Sequence, residues 1–574
     1  MSDDDPRERE VYATGVEGRE YRSSSYMPTA YDNLDIAPDS EGYPQRGRDG
    51  EFRLLDLPRV PKLSHVVGPS AIMLGASLGS GETLFWPVLI AQHGWALYWA
   101  FFFGVITQFF MNTEIQRWTL ATGESIFRAF ERVHRFWPLF FLLLGFVSLG
   151  WPGWAASAAK VGAIGLGSEE LTLSVGAVDL AAWRLFGIVL MVLIWLTYQL
   201  TPLMYNVVER IQIVLVSIAS LFAVALFVAL GSVNELANVP GGIASVGTIP
   251  PGSDIAVFLG GLAYAGAGGY LNLSQSLWVR EKGYAMGRYQ GRIKNPVVGD
   301  DPEPVQRDGF TFPPTVTNLR RWRGWWRLAQ LEHLLTFVVG LLVVATMMMA
   351  LASEYAHGTS DDGVVMWAEV IVPQVGPIGG GLIFTTLFFA LLTTEYAIVE
   401  SFVRNSADIV YEVYGRAAGW SLPRIFWILL TVFILWGIAI LGSPIPIEQP
   451  FGLLVVAAAM SGVMMWPYTA LLLVVNTTRL PEHTQPGWFR VATLWWATGF
   501  FGYFSVLLIG NTLTQLGAPV FDTAANVVDS GVGGYALFGV FVLVQIVVVV
   551  ASIRGKRTTD RTVDAADEAA WYFP

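Results

Sequence analysis

Apolar runs of about 20 residues, the length that carries a helix across a bilayer, recur along almost the whole chain. They lie near 66–91, 95–116, 136–163, 182–202, 206–231, 255–278, 331–353, 377–401, 422–442, 450–475, 488–511 and 534–553. The pattern predicts an all-α polytopic membrane protein with about twelve spans. Two of the runs are interrupted. In the first, LGASLGSGETLFWPVL at 74–89, Gly79, Ser80 and Gly81 break the apolar sequence and Glu82 follows at once. In the sixth, FLGGLAYAGAGGYLNLSQSLWV at 258–279, the centre is Ala265, Gly266, Ala267, Gly268 and Gly269. Each Gly costs a helix about 1 kcal/mol relative to Ala. Non-helical backbone survives at membrane depth only where it is buried in protein or lines a cavity.

The segments between the runs give an orientation. Connections after even-numbered spans are basic: Arg117, Arg128, Arg132 and Arg135, then Arg210, Arg280 to Arg327, Arg404 and Arg416, Arg479 and Arg490. Those after odd-numbered spans hold Glu169, Glu170, Asp179, Glu235, Asp254, Asp361, Asp362, Asp522 and Asp529 instead. The positive-inside rule then places both termini in the cytoplasm of a multi-pass cell-membrane protein. Residues 1–60 are polar and Gly/Pro-rich without apolar periodicity, so they are read as a disordered acidic cytoplasmic tail. The tail opens MSDDDPRERE, which is no signal peptide. Residues 279–330 form a cytoplasmic loop. Its stretch LRRWRGWWRLAQLEH reads equally as an amphipathic helix in the headgroup region or as a basic lead-in to the seventh span. A short tail, 554–574, closes the chain.

Composition narrows the field. Charged residues make up 14% of the chain, against roughly 25% in soluble proteins. There is no Cys, which excludes disulfides and thiolate metal ligands. The net charge of −11 speaks against nucleic acid as a partner. No nucleophile–base constellation, cofactor motif or ATP-binding loop is present, so an enzyme is not expected and no cofactor is implied. Any motive force would come from an ion gradient or from the solute's own.

The interrupted spans are the first and the sixth, each the first of five. Broken helices at corresponding positions of two halves are the mark of an inverted-repeat transporter. The arithmetic implies a LeuT-like 5+5 inverted repeat, with repeats at 65–232 and 255–475 and two further helices within 488–553. The candidate binding groups are those at and beside the breaks: Gly79, Ser80, Gly81, Glu82 and Thr83, and Tyr264, Ala267, Gly268, Gly269 and Asn272. Charges inside spans are expensive and mark pathways. Glu82, Lys160 and Glu395 are therefore the candidates for coupling to a proton or cation. Lys160 would pair with Glu82 or snorkel outward. Glu114 and Glu400 read as ordinary edge charges.

Four segments carry a resemblance. GPSAIMLGASLGSGE at 68–82, RWTLATGESI at 117–126, ESFVRNSADIVYEVYG at 400–415 and WPYTALLLVVNTTRLP at 466–481 resemble, in order, the Nramp divalent-metal transporters. The resemblance implies a secondary-active transporter of a divalent cation, with protons as the coupling ion. The departures fall on the metal chemistry. The family's Asp-Pro-Gly-Asn corresponds to Gly79, Ser80, Gly81 and Glu82, its Met-Pro-His to Ala267, Gly268 and Gly269, and its acidic proton-route pair to Ser157 and Lys160. Sulfur suits soft metals and oxygen hard ones, so a hard ion such as Mg²⁺ or Mn²⁺ is favoured, with Glu82 as its one acidic ligand. The alternative follows from GSGETLFWP and AYAG, which are similar to patterns of amino-acid transporters. Glycine N–H groups at a half-helix N-terminus would there cradle the carboxylate of a small zwitterion or organic acid. A third reading is a non-transporting sensor or scaffold that has shed its ion ligands.

Overall fold

A computed structural model describes residues 53–54, 56–61, 68–175, 178–250, 253–298, 305–312, 316–358, 362–443, 450–518, 520 and 532–558. The molecule is mostly helical. The first predicted span is split into α1 (Pro69–Leu78) and α2 (Trp86–His93). After it come α3 (Tyr98–Thr122), α4 (Ile126–Val133), α5 (Phe136–Leu149), α6 (Gly153–Gly165), α7 (Ala182–Thr197) and α8 (Met204–Leu230). The sixth span is split into α9 (Ile255–Ala263) and α10 (Gly269–Lys282). Then follow α11 (Val316–His333), α12 (Val339–Tyr355), α13 (Val372–Val410), α14 (Leu422–Leu441), α15 (Pro450–Thr478), α16 (Trp488–Gln515) and α17 (Val532–Thr558). A small hairpin pairs Thr172–Val175 with Val178–Ala181.

Among the described residues, eight helices are long and apolar enough to cross a membrane. The other four expected spans miss that test for identifiable reasons. The halves of the broken first and sixth are each too short, and α7 has 16 residues. Helix α3 has the length, 25 residues, but carries Gln108, Asn112, Glu114, Gln116 and Arg117, every one of them buried. Helix α13 forms the spine of the bundle, packing along α1, α6, α8 and α14. On the other side α9 and α15 pack together, and α16 and α17 close over α15.

The structure decides three expectations, two of them by correction. Residues 56–60, assigned by sequence to the disordered tail, are ordered against α11. Leu57 N donates to Asn318 Oδ1 (3.0 Å), Asn318 Nδ2 to Asp56 Oδ1 (2.8 Å) and Trp325 Nε1 to the carbonyl of Pro58 (2.8 Å). An extended strap needs no apolar periodicity when its backbone finds side-chain partners, which is why pattern reading missed it. Arg53 and Leu54 pair in parallel with Phe310 and Thr311, and the other tail residues lie outside the described ones. Second, of the two readings of the basic Trp-rich stretch the lead-in holds: it is a helix continuous with the seventh span through a wide turn at Leu334–Val338. It buries Trp322, Trp325 and Trp326 in protein instead of laying them in headgroups. Third, Glu114 and Glu400 are not edge charges. Glu114 is fully buried between Arg117 (2.7 Å) and Arg490 (3.1 Å), and Glu400 binds Arg404 and the Tyr198 hydroxyl (3.0 Å). The C-terminal tail also begins as helix, since α17 runs to Thr558.

Candidate functional site

The two breaks differ in kind. At the first, Gly79 (φ −76°) and Ser80 (φ −114°) stay near helical dihedrals, and the chain passes through one wide turn at Gly81–Phe85 before α2 resumes. Leu84 N (3.0 Å) and Phe85 N (2.9 Å) both donate to the carbonyl of Ser80. This is a π-type widening, the kind of helix defect found at functional sites. The second is a true opening: Gly266 (φ 141°), Gly268 (φ 68°) and Gly269 (φ 51°) occupy backbone regions that side chains disfavour. The openings meet. A Cβ on Gly81 would collide with the carbonyl oxygen of Tyr264, so only glycine lets the two segments touch.

Neighbouring helices hold each break. Thr394 on α13 spans the first, its hydroxyl accepting from Gly79 N (2.9 Å) and donating to the carbonyl of Gly75 (2.9 Å). Thr83 Oγ1 donates back to the carbonyl of Gly79, and the carbonyl of Thr83 accepts from Trp367 Nε1 (2.7 Å). Ser80 Oγ accepts from Trp154 Nε1 on α6 (3.0 Å). The second break hangs on one residue, Gln108 of α3. Its Nε2 donates to the carbonyls of Leu262 (3.3 Å), Ala263 (2.7 Å) and Ala265 (3.0 Å). Its Oε1 accepts from Gly268 N (3.3 Å) and Asn272 Nδ2 (3.1 Å).

What remains free is acidic. Glu82 is completely buried, and neither carboxylate oxygen has a hydrogen-bond partner. Its own N–H and that of Gly266 face the carboxylate without closing bonds of normal geometry. Glu395, one residue beyond Thr394, accepts from Ala155 N (3.1 Å) through Oε2 and leaves Oε1 open. Ala155 adjoins Trp154, so the second carboxylate sits behind the first break. Asn272 also donates to Tyr468 OH (2.8 Å) and leaves Oδ1 open. Tyr264 reaches Ser461 Oγ (3.3 Å) and stands edge-on to Trp154 (6.0 Å). Ala267 is buried and offers only backbone.

Lys160 belongs elsewhere. Its ammonium lies 4.0 Å from Glu169, beyond the end of α6, and forms no pair with Glu82. Ser157, on the same helix, is buried with an unpartnered hydroxyl. Sequence reading missed Gln108, Trp154, Ser461 and Tyr468. Gln108 had a signal: an amide within FFFGVITQFFMN is as conspicuous in a span as a charge. The others read as packing. Among the described residues no three His, Cys, Asp or Glu side chains gather closely enough to hold a metal by themselves.

No family model and no curated protein matches this sequence. Solved structures do match its fold. Two crystal structures of a manganese transporter from Eremococcus coleocola, one of a mutant and one in complex with an aromatic bis-isothiourea substituted compound, each superpose with a TM-score of 0.61. They are 11% and 12% identical to this chain, and each alignment covers 88% of it and 98% of theirs. At that identity the likeness shows the fold alone. The chain is a multi-pass membrane protein of LeuT-like architecture, with its first and sixth helices broken.

Proposed function

We propose that this protein is a secondary-active transporter whose site, between the two breaks, binds a cation. The observation that carries the reading is the hydrogen-bond state of the breaks. Their exposed N–H groups at Gly79 and Gly268 are already taken by Thr394 and Gln108. Among the side chains beside them the open atoms are acceptors: both oxygens of Glu82, Oε1 of Glu395 and Oδ1 of Asn272. A buried carboxylate without a partner costs several kcal/mol, a cost that a bound cation or proton offsets. An anion cradled at Gly79 or Gly268 would first have to displace Thr394 or Gln108, and one at the Gly266 N–H would meet the Glu82 carboxylate.

The resemblance to Nramp proteins favours a divalent ion as cargo, with Glu82 and Glu395 exchanging it for protons. Among the described residues no three His, Cys, Asp or Glu ligands gather, which favours a hard ion held by one or two carboxylates, carbonyl and hydroxyl oxygens and retained water. The same lack supports a second reading, a small zwitterion whose ammonium pairs with Glu82. The membrane is proposed to be the cell membrane with both termini cytoplasmic. The grouping of basic segments supports this, since Arg128 reaches Asp308 (3.0 Å) and Arg416 the carbonyl of Val305 (2.8 Å), drawing alternate connections to one face.

The test is uptake into proteoliposomes under a pH gradient, with Mn²⁺, Mg²⁺ and amino acids offered separately. Saturable metal uptake accompanied by proton movement supports the first reading. Amino-acid uptake indifferent to both metals would replace it with the second. Absence of any uptake by folded protein would leave the sensor reading.

A further inference from the structure

We propose that the seam between α3 and α10 is a hydrated route that carries water and a small cation from the helix breaks to the basic face. It rests on the transporter reading above and adds the path that its cargo takes. The two helices run side by side in one direction. Gln108 meets Asn272 near the breaks, and Gly123, at the far end of α3, abuts the carbonyl of Met286 just beyond α10. Between these points both helices carry buried polar groups with no partner. On α3 they are both amide atoms of Asn112 and of Gln116 and the indole N–H of Trp118. On α10 they are Asn272 Oδ1, both amide atoms of Gln275 and the indole N–H of Trp278.

Spacing makes this a track. Residues 108, 112 and 116 follow at four-residue intervals, and 272 and 275 at three, so each set lies along one helical face. At 1.5 Å per residue, the run from Gln108 to Trp118 covers about 15 Å, half the thickness of a bilayer core. A buried amide left unmade is costly, and one helix pair does not accumulate such groups for packing alone. Amides and indoles offer donors and acceptors without fixed charge. The amide oxygens can replace part of a cation's hydration shell without trapping it, while the amide and indole N–H groups hold the accompanying water; an apolar solute gains nothing there. The route starts at the open Oδ1 of Asn272 and ends beside Arg117 and Arg280, buried guanidiniums paired with Glu114 (2.7 Å) and Asp408 (2.9 Å) at the basic end of the two helices.

Because the chain has no Cys, thiol accessibility has no background. Single variants Asn112→Cys, Gln116→Cys and Gln275→Cys, reconstituted in full-length protein, are treated with aminoethyl methanethiosulfonate, a small cationic reagent. The control is Met348→Cys, at a fully buried apolar position of α12. The route predicts modification at least about tenfold faster than the control at all three positions, since only a wet thiol ionises and reacts. Rates equal to the control would overturn it. A second measurement needs no variant: radiolytic hydroxyl footprinting of the unmodified chain should oxidise Trp118 and Trp278 ahead of Trp86 and Trp367. All four are fully buried, but the last two have bonded indoles. Equal oxidation would count against the route. The outcomes separate from those of the function: inert thiols with cation uptake sink the route alone, and reactive thiols without uptake of any solute sink the transporter reading alone.

Discussion

The two breaks solve one problem in different ways. The first keeps helical dihedrals and widens by a single turn, held at Thr394 by a hydroxyl that serves one N–H and one carbonyl. The second abandons helical geometry over several residues and gives three carbonyls and one N–H to Gln108. The contrast separates two jobs. The wide turn presents an acidic side chain, Glu82, while the opening supplies the space and backbone against which it is placed. Stability should therefore depend more on what holds the second break, and activity more on what the first one presents.

Glu82→Gln is the sharpest way to divide these jobs. It removes a buried charge that has no hydrogen bond to lose, so the melting temperature should hold or rise. Cation transport should fall on the order of 100-fold or more, the scale on which loss of an essential charged group is felt. Loss of both fold and uptake would show that Glu82 is structural.

Gln108→Leu addresses the other side. It leaves at least three carbonyls and an N–H wanting, at about 1–3 kcal/mol for each group left unsatisfied. Thr394→Val at the first break strands one N–H and frees one carbonyl. Thermal unfolding in detergent should therefore rank Gln108→Leu well below Thr394→Val, and equal losses would erase the distinction drawn between the breaks. Glu395→Gln comes next. The glutamine amide oxygen can take over as acceptor for Ala155 N, so the fold should stand, while proton-driven uptake should weaken by roughly tenfold, as for loss of one proton-transfer group. Unchanged coupling in a proton-flux assay would remove Glu395 from the mechanism. The smallest effect is expected from Lys160→Met. A half-exposed pair with Glu169 is worth about 0–1 kcal/mol, so stability and transport should both match the parent, and a large transport loss would draw Lys160 back to the site.

Much of this was legible in the chain. Glycines within apolar runs mark both breaks because nothing else in hydrocarbon tolerates them, and the five-span interval between them implies the repeat. Glu82 and Glu395 stand out for their cost. The kind of each break was not legible, because it depends on Gln108 and Thr394, which arrive from distant parts of the sequence. Lys160 was left between two readings for a related reason, and the outward one holds: sequence shows that a long cation lies on a span, but not which end of the helix its ammonium reaches. The strap at 56–60 and the buried pairs of Glu114 and Glu400 are tertiary arrangements of residues that look solvent-bound in isolation.

The most direct test of a cation site built on Glu82 is calorimetric titration of the purified chain and its Glu82→Gln variant, with Mn²⁺, Mg²⁺ and small amino acids in turn. The account predicts saturable binding of at least one of these cationic ligands to the parent, and none to the variant. Undiminished binding to Glu82→Gln, or no binding of any of these ligands to the parent, would contradict it.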